Sequence, residues 1–580
     1  MRKHLLVAFI ILWATLLIFA KAQGEVIQIL HTNDLHGFLE NSVENKQIGG
    51  YAAVKAKIEF YKNLAKSKNM KTVTLDAGDF MEGNLFYLAN EGREVLNVMG
   101  EMGYDAIALG NHDWLMGTKD LNNLFKVNPP KFDLLAANVK VNAILYPEVA
   151  HKIKPYKIID INGQRLAILG LTTDEYFYKW RFYEGHIHDP ISVAKEMADE
   201  LREDEDADYV IGLTHVGIDT DKKIAAEANL DLIVGGHSHT YLKEAVVVKN
   251  KETHRHIPIV QTGAHGQYLG RLIVELKKGR PLKVLKYETI LINNNQQDAE
   301  MSNRVRVARE VLNRKYGENW LKQKVGESRI PIYNSEKVVT PWTAFVVDSI
   351  KESRSSDIAF HASAFGGANL PAGDISREDL FNTYPRVFDL KDKFGWHIYD
   401  VKVLGLFLKV LISKAIQHDF AIGISGVTFD LVANQGPPRQ ISGDQIITND
   451  IRGESSVSHL GLSKYKIRNI RINGHRVYLT RMYHVALPEG FVKGSLGITR
   501  AIKGVLRKIY KTDSTILSAM ENKFQKMGAL TADYSERRNP KHSKYNTYVA
   551  WDSKTIKVIN KITPKDSSQK IISTVQNLAL

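Results

Sequence analysis

Glu25-Val26-Ile27-Gln28-Ile29-Leu30-His31-Thr32-Asn33-Asp34-Leu35-His36-Gly37 joins a short β-branched run to a cluster of ligating side chains. The run 25–30 reads as a buried strand, and Asp34 and His36 stand just past its end. That join recurs. Asp76-Ala77-Gly78-Asp79-Phe80 follows an apolar run at 72–75, and Gly110-Asn111-His112-Asp113 follows one at 106–109. Leu213-Thr214-His215-Val216-Gly217 closes the run 209–213, and Gly235-Gly236-His237-Ser238-His239 follows 232–234. Further strand-like runs at 134–139 and 166–171, with helical patterns at 52–67 and 191–205 between them, place the chain in the α/β class. Ligands of open α/β sheets gather outside the carboxyl ends of strands, so five strand ends are expected to converge on one site.

Length and composition agree with this reading. At 580 residues and 44% apolar, the chain can bury more than one full core. Cysteine is absent, which excludes thiol nucleophiles, thiolate zinc sites, iron–sulfur clusters and disulfides. The net charge of +14 is spread along the chain, so it describes a solvated surface and gives no argument for nucleic acid as a partner. Arg2 and Lys3, the apolar stretch to Ala20 and the small residues Ala20 and Ala22 have the pattern of a cleaved leader over 1–22. A periplasmic or secreted protein with no stable membrane anchor after cleavage is the expectation.

Residues 23–290 are expected to form the first domain and 291–324 a linker helix. A second α/β unit is expected over 325–510, and a basic extension over 511–580.

Each strand-end motif alone is weak evidence, because a buried histidine is commonly a core residue and an Asp after a strand commonly a helix cap. Their recurrence is the argument. Nitrogen and oxygen donors without sulfur suit Mn, Zn or Fe, and the donors outnumber the needs of one ion. Two ions bridged by a carboxylate use such a set, with Asp79 as the natural bridge. Asp34, His36 and His239 are expected around one ion, and Asn111, His215 and His237 around the other.

The ordered set Asp-x-His, Gly-Asp, Gly-Asn-His, His and Gly-Gly-His-x-His resembles the 5'-nucleotidase and UDP-sugar hydrolase family of the calcineurin-like metallophosphoesterases. The resemblance runs over about residues 26–280, including Leu135-Ala136-Ala137-Asn138 and Gln261-Thr262-Gly263-Ala264-His265-Gly266, where His265 is expected to be structural. It continues more weakly through the second unit at Asp357-Ile358-Ala359, Leu370-Pro371-Ala372-Gly373-Asp374-Ile375 and Ser425-Gly426-Val427.

The resemblance implies an N-terminal αββα sandwich with two divalent ions and a smaller α/β substrate domain. It also implies hydrolysis of nucleotides or related small phosphate esters by an activated water, a step in nucleotide catabolism. Asn111 then holds metal and a phosphate oxygen, and His112 stabilises developing charge or protonates the leaving group. Same-fold alternatives are a cyclic nucleotide phosphodiesterase, a UDP-sugar hydrolase and a thiosulfohydrolase; a non-catalytic binding protein is the alternative of another class. The residues leave the oligomeric state open.

This chain departs from the family pattern at informative places. Gly367 stands where the family has a binding Arg, Pro385-Arg386 replaces a Pro-Phe pair, and 493–497 replaces a Gly-Gly-Asp-Gly-Tyr loop. Nucleoside contacts are therefore expected to be missing, leaving Arg386 as the candidate for an anionic part of the substrate, against the simpler reading of a surface ion pair. Phe365, Phe388 and Phe491 read as core aromatics rather than base-stacking ones. Leu115 stands where the family places an Asp that orients the catalytic His, and the nearest acid is Asp113. His112 is accordingly expected to be less firmly oriented than in the family.

Overall fold

Ile168, Ile211 and Val234 point to one side of their strands while their neighbours Leu169, Val210 and Ile233 point to the other, and both sides are buried. This period of two, apolar on both faces, is what a parallel sheet covered on both sides requires. The computed structural model describes residues 24–530, apart from 43–46, 176–180, 183, 332–333, 335–340, 371, 389–393, 418–421, 434–464 and 494–505. The expected leader 1–22 and most of the basic extension lie outside the described residues, as does 494–497 of the specificity loop.

The described chain divides into two units, one ending at Lys315 and one beginning at Tyr316. In the first, a seven-stranded sheet runs in the order Lys283–Leu291, Tyr268–Leu276, Glu25–Thr32, Lys71–Asp76, Ala106–Ala108, Leu134–Leu135, Ile153–Lys154. Its partner has six strands, ordered Val246–Lys249, His256–Val260, Leu232–Gly235, Tyr209–His215, Gln164–Thr172, Tyr156–Ile161. Ile27, Ile29, Val73 and Leu75 from the first sheet share one core with Ile168, Ile211, Leu213 and Val234 from the second.

Helices Pro190–Glu203 and Ile218–Glu227 cover the outer face of the six-stranded sheet through Ala194, Ala198, Leu201 and Ile224. Helix Tyr51–Ser67 covers the other sheet, where buried Gln28 bridges the Tyr61 carbonyl and the Thr72 hydroxyl. The layers are thus helix, sheet, sheet, helix. Neighbours Glu25–Thr32, Lys71–Asp76 and Ala106–Ala108 are parallel, as are Gln164–Thr172, Tyr209–His215 and Leu232–Gly235. Their carboxyl ends carry the five motifs.

The expected strand at 134–139 is cut short at Leu134–Leu135. Buried Asn138 explains it: its amide bonds the main chain of Thr172 on both sides and the His188 carbonyl, drawing the chain off the sheet. The expected linker at 291–324 is largely the helix Ala299–Tyr316, docked onto the first unit by Arg304 on Glu101 and by a two-pronged Arg309–Glu40 pair.

The second unit has a five-stranded sheet ordered Ile422–Ser425, Ile358–Ala362, Met482–Pro488, His397–Leu404, Leu506–Thr515. The last strand crosses the expected boundary at 510, and helix Ile516–Met527 then packs Phe524 on Phe345 with ring centroids 4.6 Å apart. The core of this unit therefore runs beyond 510. Among the described residues no helix is long and apolar enough to cross a membrane.

Leu213 is fully buried between the two sheets of the first unit, whereas Val247 is 56% exposed on an edge strand. Leu213→Ala should lower stability by about 2–5 kcal/mol and Val247→Ala by less than about 0.5. Urea titration of the full chain reads the difference, and equal midpoints for the two variants would contradict the placement of this core.

Candidate metal centre

Asp79 is buried, and its two carboxylate oxygens have different tasks. Oδ1 accepts the His112 main-chain N–H at 2.7 Å, while Oδ2 lies 3.0 Å from His215 Nε2 and 3.7 Å from His36 Nε2. On one side of it Asp34, His36 and His239 bring ligand atoms together; on the other Asp79 itself groups with His215 and His237. His239 Nε2 is 3.2 Å from Asp34 Oδ1, and Asn111 Oδ1 is 3.1 Å from His215 Nε2. All seven predicted ligand residues therefore meet at the strand ends, and His112 lies with them, its ring 4.8 Å from that of His36.

The local backbone explains how short loops deliver so many donors. Asp34, His36, Asp79, His237 and His239 all have positive φ, a conformation that costs a non-glycine residue about 1–3 kcal/mol and collects at functional sites. The loops are tied to one another: Asp34 N–H donates to the Gly78 carbonyl, His36 N–H to that of Asp79, and His237 N–H to the Asp34 carboxylate. Gly110 and Gly236 permit the close approach. A Cβ on Gly110 would sit 2.2 Å from the Asp79 main-chain nitrogen, and one on Gly236 would sit 2.8 Å from the Ala77 carbonyl.

Hydrogen bonding decides what these atoms can bind. His36 Nδ1 faces the Glu82 carbonyl at 2.6 Å and His215 Nδ1 faces the Ala77 carbonyl at 2.7 Å, so each Nδ1 carries the proton. In the neutral rings Nε2 is then a lone pair. His215 Nε2 aims it at Asp79 Oδ2 and Asn111 Oδ1, and His36 Nε2 lies 3.0 Å from His239 Nε2. At Asp79, His215 and Asn111 electron-pair donors converge with no proton to share, which fits a cation there, and Asp34 Oδ1 and His36 Nε2 gather in the same donor-rich way around His239 Nε2. Burial alone would raise the carboxylates, but positive charge on the facing histidines outweighs it, charge on His239 and His215 bringing Asp34 down to about 2 and charge on His215 and His112 holding Asp79 well below its ordinary value, so any positive charge that enters the centre in their place keeps both carboxylates ionised. Burial also pushes His36 well below the ordinary imidazole range, keeping it neutral. The residues present thus fit a pair of divalent ions.

Three placements were not legible in advance. His112 is not loosely held: its Nδ1 meets the Glu82 carboxylate at 2.7 Å, both groups buried, while Leu115 only offers its carbonyl to Arg181. Asp113 does not reach His112. Its carboxylate accepts the main-chain N–H groups of Asp79, Phe80, Met81 and Gly110 and so clamps the Asp79 loop. In the second unit Arg386 is neither a surface ion pair nor an exposed anion binder; it is buried and donates to the carbonyls of Ala364, Phe365 and Gly366. Phe365 and Phe388 are buried against Trp396 and so belong to the core, while Phe491 packs edge-on against Phe365 and is half-buried. The main-chain N–H of His265 donates to the Asp34 carbonyl, and its ring packs on Phe38.

Residues 27–241 match the calcineurin-like phosphoesterase family. The chain is 30% identical over 320 residues to 5'-nucleotidase of Rattus norvegicus, covering 51% of this chain and 54% of that protein. It is 25% identical over 483 residues to the trifunctional nucleotide phosphoesterase protein YfkN of Bacillus subtilis, covering 73% and 31%. The chain thus spans about half, or less, of the length of these relatives. Among solved structures, a 5'-nucleotidase precursor from Thermus thermophilus superposes with a TM-score of 0.69 at 21% identity, over 87% of this chain and 97% of that one. A sulfate thiohydrolase SoxB from the same organism gives 0.65 at 16%, over 87% and 95%. These likenesses show a shared fold.

The Asp113 clamp has a measurable consequence. Asp113→Ala strands several buried N–H groups and should cost about 1–3 kcal/mol, with a lower content of bound metal because the Asp79 loop loses its support. Thermal unfolding and elemental analysis check this; wild-type stability with wild-type metal content would show that the clamp is dispensable.

Proposed function

With residues 27–241 a calcineurin-like metallophosphoesterase domain, we propose that this protein is an exported, dinuclear metal-dependent hydrolase of nucleotides or related small phosphate esters. The observation that carries the reading is the meeting of Asp34, His36, Asp79, Asn111, His215, His237 and His239 around Asp79 Oδ2. Nitrogen and oxygen donors without sulfur favour Mn, Zn or Fe. The leader-like pattern of 1–22 supports export to a periplasm or beyond the cell.

When bound, two such ions supply Lewis acidity toward phosphate oxygens and a water of lowered pKa. The chain's own groups do the rest. Asn111 Nδ2 is buried and has no partner among the described residues, which suits a donor reserved for a phosphate oxygen. His112, whose Nδ1–H donates to Glu82, would act as the imidazolium and turn its Nε2–H to the leaving ester oxygen. As the water oxygen bonds to phosphorus and the P–O ester bond breaks, the Nε2 proton of the His112 imidazolium passes to the leaving oxygen, so the alcohol leaves neutral and His112 is left as the neutral Nδ1–H ring.

Among the described residues of the second unit, Phe365 and Phe388 pack on Trp396 and Arg386 donates to carbonyls, so these groups are not displayed to tell one base from another. Here Arg386 shapes the 364–366 turn, and any hold on an anionic part of the substrate is secondary to that. The thiosulfohydrolase alternative draws on the shared fold, and the cyclic nucleotide and sugar-nucleotide alternatives on the family resemblance.

A substrate panel with added Mn or Zn tests the reading: nucleoside monophosphates, cyclic nucleotides, sugar nucleotides and thiosulfate esters. Turnover of the phosphate esters is expected, and turnover of thiosulfate esters alone would overturn it. The four common nucleoside monophosphates should give kcat/KM values within about a hundredfold, or about 2.7 kcal/mol, of one another. A larger preference would reveal a specific base pocket. Asp79→Ala should release both ions and abolish hydrolysis, whereas His239→Ala should weaken one site; two ions retained by the Asp79 variant would refute the bridge.

A further inference from the structure

Glu82 touches two of the histidines from two different atoms. Its main-chain carbonyl accepts from His36 Nδ1 at 2.6 Å, and its carboxylate accepts from His112 Nδ1 at 2.7 Å. It is 2% exposed, and the two imidazole rings stand nearly perpendicular, 86° apart. No motif or spacing pointed to it: Glu82 lies 30 residues before His112 in the chain.

We propose that Glu82 is the positioning residue of the centre, fixing the tautomer and orientation of His112 with its side chain and those of the metal ligand His36 with its main chain. The proposal rests on the reading of His112 as the group that protonates the leaving oxygen. A carboxylate and a carbonyl can only accept, so each histidine keeps a proton on Nδ1 and presents Nε2 to the reaction side, as a lone pair for metal on His36 and, in the imidazolium that acts as the acid, as an N–H on His112. Without the side chain, the His112 ring could turn, and its imidazolium would lose the acceptor and the negative charge at Nδ1. Without the carbonyl, the His36 ring could turn too, but no side-chain substitution removes a carbonyl. The two roles are therefore separable by mutation.

Glu82→Met removes the acceptor while nearly keeping the volume, and Glu82→Gln keeps an acceptor oxygen without the charge. Glu82→Met should retain wild-type metal content, leave KM near its original value and lower kcat by about 10- to 100-fold, the range seen when a partner that orients a site histidine is lost. The loss should be larger for an alkyl phosphate than for p-nitrophenyl phosphate, because only the poor leaving group needs the proton. In a His112→Ala background the same substitution should change nothing further, since it acts through His112. Glu82→Gln should fall between wild type and Glu82→Met, and it serves alone if the Met variant does not fold.

A second readout needs no turnover. Long-range ¹H–¹⁵N NMR on histidine-labelled protein, metal-stripped and zinc-loaded, should show a proton held on Nδ1 of His112 in wild type, assigned by its loss in His112→Ala. That signal should shift or broaden in the Glu82 variant. An unchanged His112 signal together with unchanged kcat would overturn the proposal, as would an equal loss in the His112→Ala background, which would mean action through the metals. If wild-type protein hydrolyses none of the phosphate esters, the functional reading fails, and the His112 signal alone decides the role of Glu82.

Discussion

A buried carboxylate between lone pairs is the constraint on which this structure depends. Asp79 Oδ2 faces His215 Nε2 and His36 Nε2, each of whose opposite nitrogens has already given its proton to a main-chain carbonyl. Such an arrangement repels itself unless positive charge enters it. The rest of the first unit can be understood as the means of holding it: two sheets that aim their parallel strand ends at one place, ligands in left-handed backbone, and a carboxylate at Asp113 that collects the amides of the Asp79 loop. The strain at those ligands is sustained because the surrounding loops are hydrogen-bonded to one another rather than to solvent.

Much of this was legible in the sequence, for a physical reason. Strands buried on both faces are nearly continuous apolar runs, so 106–109, 209–213 and 232–234 announce themselves, and a loop that follows such a strand within a few residues must begin at its end. The candidate ligands Asp34, Asp79, Asn111, His215 and His239 inherit their placement from that rule. What failed to show were contacts set by loop curvature. Glu82 and Asp113 exchange the roles that linear proximity suggests: the acid next to His112 turns to the Asp79 loop, and the acid in the Asp79 loop turns to His112. Positive φ at Asp79 makes this crossing possible, and no periodicity encodes it.

The second unit shows the same limit in another form. Its elements follow their patterns, yet the last strand and helix extend the fold past 510, because a Lys- and Ser-rich composition does not prevent Leu517, Met520 and Phe524 from lining one helix face. Arg386 looked like a charge in search of an anion. Buried next to a turn whose carbonyls need donors, it serves the backbone instead.

Anomalous diffraction from crystals of the metal-loaded protein, recorded at the absorption edge of the bound element, tests the central claim most directly. The account predicts two peaks about 3.5–4 Å apart on either side of Asp79 Oδ2, one beside Asp34, His36 and His239 and the other beside Asn111, His215 and His237. A single peak, or peaks that do not share Asp79, would contradict it.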